Sequence, residues 1–451
     1  MIAEDDRPPA ERDVEALNDW LREASIVEIA EELARLDPAD RAVAFRLLAK
    51  DRALEVFETL DTIHQQELLE GLREPAVRQL FEDMDPDDRA RLVDEMPAKV
   101  AKRLLAGLSP HERALTARLL GYPENSAGRV MSPEIANLRA NQTVAEALAR
   151  LRRLGANAET IYALPVTDPQ RRLVGALGLR DLVLADPDAT VGDLMDTDVY
   201  KAYVDDDQEQ VARLIQEANL LALPIVDRED RLVGMVTVDD AMQILEEEQT
   251  EDVARAGGAE PLAHPYLSVS IMGIARSRIL WLFILIGAAT LTVTVLARFE
   301  ARLEDVVALA LFIPLVIGTG GNTGAQAATT VTRALAVGEV RGTDVALVVL
   351  REMRVGLLLG GMLGVVAYVP ALLFVRFLSA QPEVDQQVAL IVSLTLVVVC
   401  TLATTVGSLL PLLARRLGFD PAVMSAPFIT TLVDATGLLV YFVIAGLVLG
   451  L

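Results

Sequence analysis

A lone aspartate, Asp434, lies inside the last apolar segment of the chain, and residues 422–451 contain no lysine or arginine to neutralise it. Because an ionised carboxylate is costly in hydrocarbon, such a residue usually faces a bundle interior or a water-filled path. Along a helix, Pro427, Thr430 and Gly437 would share the face of Asp434. The pattern predicts that Asp434 binds a cation in a membrane path lined also by Pro427 and Thr430. A protonated aspartic acid bonded to a neighbouring helix is the alternative.

An earlier apolar segment contains Pro314 and a run of small and amide residues from Gly318 to Gln326. These residues predict a break in the helix, and irregular backbone survives at membrane depth only where protein or water covers it. The opened carbonyls and the side-chain oxygens of the run could then face a cation. The alternative is a face of small residues on which a neighbouring helix packs closely. The residues expected to line the path are Gly321, Asn322, Thr323 and Gln326.

Charge divides the chain into two parts. Residues 1–275 hold 55 of the 65 acidic and 30 of the 41 basic residues, whereas residues 276–451 hold 10 and 11. The mean hydropathy of +0.35 is too high for a purely soluble protein. An acidic soluble half therefore precedes a nearly neutral membrane half. The acidic surface argues against nucleic acid as a partner and favours cations, unless the acids serve only solubility.

The sequence offers few groups for catalysis. Cys400 is the single cysteine and lies in an apolar run, so the chain forms no internal disulfide. The sequence shows no pairing of nucleophile and base, no metal-binding histidine and cysteine set, and no phosphate loop. We therefore expect that the protein is not an enzyme. The acidic N-terminus also predicts no cleavable signal peptide.

Residues 11–120 carry a repeat with a period of 24 residues. An acidic or hydroxyl residue before proline is typical of a helix N-terminus. Each period therefore predicts two short helices, and successive pairs would stack into a solenoid because each buries its apolar face only against its neighbours. The recurring triplets are Leu36-Asp37-Pro38, Leu60-Asp61-Thr62, Met84-Asp85-Pro86 and Leu108-Ser109-Pro110.

A second repeat relates two segments that are 59 residues apart. Ala163-Leu164-Pro165-Val166 is matched by Ala222-Leu223-Pro224-Ile225, and a methionine, Met131 or Met195, opens each copy. A helix, a strand, a charged turn, a strand and a second helix are predicted in each. The pair resembles tandem cystathionine-β-synthase-type (CBS) domains, which often bind an adenine nucleotide such as ATP. The resemblance implies Asp181 and Asp240 as ribose ligands, with helix capping as the alternative.

Residues 241–275 connect this pair to the membrane half. The first part reads as an acidic amphipathic helix that ends near Gly257 and Gly258. Its carboxylates could bind a divalent cation and make it a lever, whereas a solvated linker helix is the alternative.

Five apolar segments then follow, each long enough for a hydrocarbon core that takes about 20 residues to cross. The positive-inside rule places the acidic half in the cytoplasm. The C-terminus then lies on the outer side of the membrane, which is the cell (inner) membrane. The segments are residues 279–297, 306–335, 345–375, 387–413 and 424–451. The arginines on the cytoplasmic side are Arg276, Arg278, Arg333, Arg341, Arg351, Arg354, Arg415 and Arg416, and those on the other side are Arg298, Arg302 and Arg376.

The predicted fold class is therefore multidomain, with an all-α helical-repeat domain, an α/β tandem CBS pair, a connecting helix and an all-α five-helix transmembrane domain. The predicted boundaries are residues 1–125 for the repeat domain, 126–240 for the CBS pair with copies at 126–186 and 187–245, 241–275 for the connecting helix, and 276–451 for the pore domain.

This order of domains resembles the MgtE family of magnesium channels. The specific motifs are the run from Gly318 to Gln326 and Leu432-Val433-Asp434-Ala435-Thr436-Gly437-Leu438, and the resemblance covers essentially the whole chain. It implies a homodimer in the lipid bilayer whose pore lies on the two-fold axis, with Asp434 of each chain binding hydrated Mg²⁺. It also implies a cytoplasmic Mg²⁺ sensor that closes the pore. The matching sensor acids are Asp87, Asp207, Glu209, Asp240, Glu248, Glu251 and Asp252.

The chain departs from the family pattern at four positions. Members often have asparagine at the positions of Ala325 and Ala426, and an acid at those of Asn219 and Gln243, which leaves the strength of gating open. Two other functions stay open as well. One is a CBS-regulated transporter of another divalent cation, such as Co²⁺ or Mn²⁺. The other is a membrane sensor of nucleotides or ions that transports nothing.

Overall fold

The computed structural model describes residues 20–450 except residues 73, 97, 156–157, 263–265, 267–268, 301–305 and 380–381. The first 19 residues of the predicted repeat domain, Arg302 and Leu451 lie outside the described residues. Contacts divide the chain into two units, Met1–Glu248 and Gln249–Leu451.

Between Ile26 and Leu119, the described residues form eight helices that start at regular intervals of 12 residues. This confirms the prediction of two short helices in each 24-residue period. Asp37 and Ser109 cap two of them by accepting hydrogen bonds from backbone N–H groups of the first turn. The helices are α1 (Ile26–Arg35), α2 (Pro38–Phe45), α3 (Lys50–Thr59), α4 (Thr62–Gly71), α5 (Glu74–Asp83), α6 (Pro86–Glu95), α7 (Ala98–Gly107) and α8 (Pro110–Leu119).

A polar side chain in each period donates a hydrogen bond to a backbone carbonyl at the end of the preceding helix. Arg41 donates to the Leu33 carbonyl at 2.7 Å, Gln65 to the Phe57 carbonyl at 2.8 Å, and Arg113 to the Leu105 carbonyl at 2.9 Å. The last carbonyls of a helix lack partners inside the helix, so these bonds remove a cost of burial. The repeat is therefore held by a recurring polar contact as well as by its apolar core.

The CBS pair follows with the element order that the sequence predicts. Strand β1 pairs with β2 antiparallel, while β3 pairs with β4 parallel and β4 with β5 antiparallel. The elements are α9 (Ala127–Val130), α10 (Val144–Leu154), β1 (Ala163–Thr167), β2 (Leu173–Gly178), α11 (Leu179–Leu184), α12 (Val191–Leu194), β3 (Ala202–Tyr203), α13 (Gln208–Glu217), β4 (Ala222–Val226), β5 (Leu232–Thr237) and α14 (Val238–Ala256).

The methionine that precedes each copy packs on the other copy. A Cβ built on Gly234 would lie 2.5 Å from Met131 Cγ, and one built on Gly175 would lie 2.6 Å from Met195 Sδ. Ser132 and Met235 exchange backbone hydrogen bonds of 2.8 and 2.9 Å beside the first contact. The two copies therefore complete each other's cores.

Among the residues of the second unit that the structure describes, five helices are long and apolar enough to cross a membrane, which confirms the predicted number. Helix α18 packs against α16, α17 and α19, and α15 contacts α19. A short 3₁₀ turn, Pro421–Val423, precedes α19. The membrane helices are α15 (Ile271–Arg298), α16 (Ala308–Ala336), α17 (Val345–Ser379), α18 (Pro382–Arg416) and α19 (Ala426–Leu449).

The predicted break at the glycine-rich run is wrong, because α16 stays helical through Pro314 and through residues 318–326. Gly320, Gly321 and Gly324 are buried in the contacts of α16 with α18 and α19. A Cβ on Gly324 would lie 3.2 Å from the Ala403 carbonyl oxygen. These glycines therefore allow close helix packing, as in the alternative interpretation.

Candidate ion path and sensor sites

Asp434 lies in the third turn of α19, facing Gly321 of α16. A Cβ on Gly321 would come within 2.6 Å of Thr430 Cγ2 and 3.4 Å of Asp434 Oδ1, so only glycine leaves room there. The Asp434 Oδ1 atom is screened from solvent and accepts no hydrogen bond from any described residue. An uncompensated carboxylate oxygen at this depth is the kind of group that a cation stabilises.

The face of α16 beside this carboxylate is polar and uncovered. Gly318, Asn322 and Gln326 are exposed, and their spacing of four residues places them on one stripe of the helix. Amide side chains do not face lipid freely, because hydrocarbon offers them no hydrogen-bond partner. The stripe thus needs water, an ion or another protein surface against it.

The other residues predicted to line the path, Thr323, Pro427 and Thr430, lie on two helices, α16 and α19. Thr323 is buried, donates to the Thr319 carbonyl at 2.6 Å and lies 3.7 Å from Cys400 Sγ, so its side chain points into the packing against α18. Pro427 lies in the first turn of α19. Thr430 lies one turn before Asp434, and its hydroxyl donates to the Ala426 carbonyl at 2.9 Å.

In the first unit, the predicted sensor acids Asp87 and Asp240 line one cavity of about 380 Å³. Asp87 is only 6% exposed, and its Oδ1 atom has no hydrogen-bond partner among the described residues. Asp240 accepts a 2.6 Å hydrogen bond from the Thr237 hydroxyl. Glu247 and Asp94 also line the cavity. A buried carboxylate with an unpartnered oxygen, beside the half-buried carboxylate of Asp240, forms a geometry that suits a divalent cation.

Arg91 brings a positive charge into the same cavity. Its Nη2 atom lies 2.7 Å from Asp88 Oδ1 and 3.8 Å from Asp240 Oδ1. The pKa of Asp87 is nevertheless well above its usual range, chiefly because of burial and then because of repulsion from Asp240. Burial likewise raises the pKa of Asp240 to about 6. With Arg129, two guanidiniums line the cavity against five acidic residues, so it stays short of positive charge.

Another cluster of acids lies nearby, and sequence reasoning missed it. One oxygen from each of Glu58, Asp85 and Asp88 lies within 4.8 Å of the others, a spacing that could hold a metal ion. Burial is the largest cause that raises the pKa of Glu58 to about 8 and that of Glu159 to about 8. Glu58 and Glu159 are a hundred residues apart, and no sequence motif relates them.

The remaining sensor acids form smaller groups. Asp207 caps α13 by accepting from the N–H groups of Glu209 and Gln210 at 3.0 and 3.3 Å, and Glu209 pairs with Arg213 one turn on. Glu248 accepts from Gln208 Nε2 at 3.1 Å. These acids are engaged by protein groups in this structure.

The acids near the end of α14 belong to the second unit. Glu251 pairs with Arg255, which also contacts Asp420, and Asp252 lies next to Glu251 on the helix.

The two acids implied as nucleotide ligands differ in their surroundings. Asp181 is exposed in the first turn of α11. Asp240 starts α14 in the equivalent position, but it faces the cavity that contains Asp87 and Arg91. The two copies of the repeat are therefore not equivalent as ligand sites.

Family models match the helical repeat, the CBS pair and four of the five membrane helices. Residues 313–444 match the family model described as MgtE, divalent cation transporter, and residues 24–125 match the MgtE intracellular N domain. Residues 127–188 and 191–247 match the CBS domain.

Curated relatives match most of the chain. The magnesium transporter MgtE of Thermus thermophilus is 42% identical over 340 residues, which cover 75% of this chain and 74% of the relative. The magnesium transporter MgtE of Enterococcus faecalis is 34% identical, with 73% and 70% covered. A solved structure of the cytosolic domain of the Mg²⁺ channel MgtE in complex with ATP is 38% identical, with a TM-score of 0.49, and covers 51% of this chain and 95% of that one.

The match over α16–α19 places the membrane unit in the class of divalent cation transporters. By identity and coverage, the chain belongs to the MgtE family. It is a multi-pass membrane protein with a cytoplasmic N-terminal domain.

Proposed function

We propose that this protein conducts Mg²⁺ into the cytoplasm down its electrochemical gradient. The observation that carries the proposal is the lone carboxylate of Asp434 beside the exposed polar stripe of α16, Gly318, Asn322 and Gln326. The names of the curated relatives support Mg²⁺ as the ion. Magnesium prefers oxygen ligands and loses its waters reluctantly, so carboxylate and amide oxygens would bind the hydrated ion.

The polar stripe also supports assembly as a homodimer. A second copy facing α16 would shield the amides from lipid and bring two Asp434 carboxylates to one path. In this arrangement the C-terminus lies outside the cell (inner) membrane, opposite the acidic half. Transport needs no ATP, because the membrane potential supplies about 2.3 kcal/mol per charge per 100 mV, roughly 4.6 kcal/mol for a divalent ion.

Cytoplasmic Mg²⁺ closes the pore by binding to the acidic sensor. The cavity of Asp87 and Asp240 offers a buried carboxylate oxygen without a hydrogen-bond partner among the described residues. Asp207, Glu209 and Glu248 of the first unit, and Glu251 and Asp252 of the second, are further proposed Mg²⁺ ligands. A cation that bridges such groups relieves their repulsion and shifts the population toward the compact, closed state.

Mg²⁺ uptake into liposomes tests the pore and the sensor together. Wild type, Asp434→Asn and the double variant Asp87→Asn with Asp240→Asn are compared at low and at millimolar internal Mg²⁺. Thr436→Val is the matched control, since Thr436 is exposed on α19 and its hydroxyl bonds only backbone carbonyls, at 3.0 and 3.2 Å.

We expect wild type and Thr436→Val to conduct at low internal Mg²⁺ and to be shut by millimolar Mg²⁺. Asp434→Asn should lose most of its flux, whereas the double variant should conduct and escape the block. Equal flux from wild type and Asp434→Asn would contradict the pore assignment. Full block of the double variant would contradict the sensor assignment alone.

We further propose that the CBS pair binds an adenine nucleotide such as ATP through Asp181. Asp181 is exposed at a helix start, next to the exposed Arg180, so a hydroxyl and a phosphate could be bound together. Titration of the full chain with a fluorescent ATP analogue tests this site. Unchanged affinity in Asp181→Asn would contradict it.

A further inference from the structure

The end of the connecting helix α14 is joined to the loop before α19 through Arg255. Its Nη1 atom lies 2.6 Å from Asp420 Oδ2, and its second nitrogen contacts Glu251 one turn earlier. Both side chains of the Arg255–Asp420 pair are 32% exposed, so solvent screens the pair only in part. An arginine stays charged at all physiological pH values and can contact two carboxylates at once.

Asp420 also determines where the next helix begins. Its Oδ1 atom accepts a 2.8 Å hydrogen bond from the Ala422 N–H and so caps the turn Pro421–Val423. Ser425, directly after this turn, caps α19, the helix that carries Asp434. A displacement of the Asp420 carboxylate is therefore passed directly to the start of α19.

The residues that follow α14 strengthen the same connection between the end of α14 and the start of α19, which we call the joint. Gly258 has a φ of +72° and lies against the start of α19, since a Cβ there would be 3.4 Å from Pro427 Cγ. The Glu260 N–H donates to the Ser277 carbonyl at 2.8 Å. Trp281 Nε1 donates to Glu260 Oε1 at 3.0 Å. Residues 255–260 are thus tied to both α15 and α19.

We propose that Arg255 is a positioning residue for gating, which passes movements of α14 to Asp434 through Asp420. This inference rests on the proposed function. The cation that bridges Asp420 and Glu251 is the Arg255 guanidinium, which is part of the chain. The joint therefore does not need Mg²⁺ and stays closed when Mg²⁺ is low. The Mg²⁺-dependent step then lies earlier in the chain, among the sensor acids.

The test compares Arg255→Gln, Arg255→Lys and Asp420→Asn in the liposome assay; the amide oxygen of Asp420→Asn can still cap the turn, but the charge is lost. Arg255→Gln removes the charge and should conduct at low internal Mg²⁺, but millimolar Mg²⁺ should block it at least several-fold less than wild type. Asp420→Asn should weaken the block in the same way, and Arg255→Lys should retain most of it. Arg228→Gln is the control, because Arg228 forms an exposed ion pair with Asp205 at 2.9 Å.

Normal block of Arg255→Gln would overturn the proposal. If Arg255→Gln shows no flux in either condition, Asp420→Asn decides. Flux with a weakened Mg²⁺ block in Asp420→Asn supports the proposal, and a normal block or a loss of flux contradicts it.

Hydrogen exchange of the full chain in detergent provides a readout that does not depend on transport. Peptides over residues 255–262 and 418–428 should exchange equally slowly with Mg²⁺ and with chelator in wild type. They should exchange several-fold faster in Arg255→Gln under both conditions. If wild type fails to conduct Mg²⁺ but shows this pattern, the proposed function fails while the joint itself stands. Exchange in wild type that rises on chelation would show that the joint opens, which contradicts the proposal.

Discussion

Carboxylates act in two ways in this chain, and their surroundings decide which. Asp434 lies in an apolar helix with no basic residue in its segment, so a mobile cation is the available source of positive charge. Asp87 and Asp240 share a cavity with Arg91, whose guanidinium already offsets part of their repulsion. In the proposed function, a permeating ion would therefore meet a carboxylate without a competing basic residue in its segment, whereas a sensing ion would meet acids that are partly neutralised.

The acids of the first unit should make its stability depend on pH. The folded pKa values of Glu58 and Glu159 are raised from 4.5 to about 8, so the folded state binds more protons than the unfolded state between these limits. Their stabilising contribution to the free energy of unfolding is therefore full at low pH and is lost as the pH rises toward 8. In chelator, we expect the melting temperature of the full chain to fall from pH 5 to pH 8, by roughly 2 to 4 °C for each kcal/mol lost.

Glu58→Gln should show a smaller fall in melting temperature, because the amide cannot ionise. Glu31→Gln is the matched control, since Glu31 is exposed on α1. Thermal unfolding followed by circular dichroism provides the measurement. An equal slope for Glu58→Gln and wild type would contradict the assignment of Glu58.

At this scale, the sequence predicted Asp434 because a charge in an apolar segment is visible along the chain. It did not predict Glu58 and Glu159, since their proximity arises only when the CBS pair and the helical repeat pack together. Arg91 was missed for the same reason. Its position one turn after Asp87 is visible, but its approach to Asp240 depends on the fold.

Among the elements, the pair α17 and α18 shows how small residues set the distance between helices. Gly356, Gly360 and Gly364 are spaced by four residues and face α18. A Cβ on Gly360 would lie 2.6 Å from Val397 Cα, and one on Gly364 would lie 2.8 Å from the Ser393 carbonyl oxygen. The backbones of the two helices are therefore as close as their atoms allow.

Gly360→Ala should destabilise the membrane unit by about 1 to 3 kcal/mol, because the added methyl group meets backbone atoms that cannot move aside easily. Gly361→Ala is a matched control on the next residue, where a Cβ meets nothing within 4 Å. It should be neutral or stabilising by up to about 1 kcal/mol through helix propensity. Thermal unfolding in detergent measures both, and equal effects would contradict the packing argument.

Element types and numbers could largely be predicted from the sequence. The four recurring triplets located every second helix of the repeat, because capping residues act locally. Residues 318–326 were predicted as a break because glycine and proline weaken an isolated helix. In the folded unit, contacts with Val399, Val433 and Thr430 stabilise the helix and outweigh that local preference.

Across the first unit, fixed ion pairs hold the arrangement that the proposed Mg²⁺ site would stabilise further. Arg129 contacts both carboxylate oxygens of Asp94 at 2.6 and 2.7 Å, which ties the start of the CBS pair to helix α6. This pair holds the repeat on the CBS pair at any Mg²⁺ concentration. Mg²⁺ would add to it at the cavity of Asp87 and Asp240.

Chelation should therefore raise protease sensitivity between residues 120 and 275 in the full chain, and millimolar Mg²⁺ should lower it. The change should be partial, since the Arg129 pair persists without the ion. The double variant Asp87→Asn with Asp240→Asn should lose the protection by Mg²⁺. Identical digestion of wild type with and without Mg²⁺, followed by mass spectrometry of the fragments, would contradict this gating model.

The exchange of methionines between the CBS copies has a consequence for synthesis of the chain on the ribosome. Met131 finds its place against Gly234 only after about a hundred further residues have been made. The helical repeat, with its contacts between neighbours, can fold while translation continues. The CBS pair must wait until β5 has left the ribosome, so a chain that stops between the copies leaves the first methionine exposed.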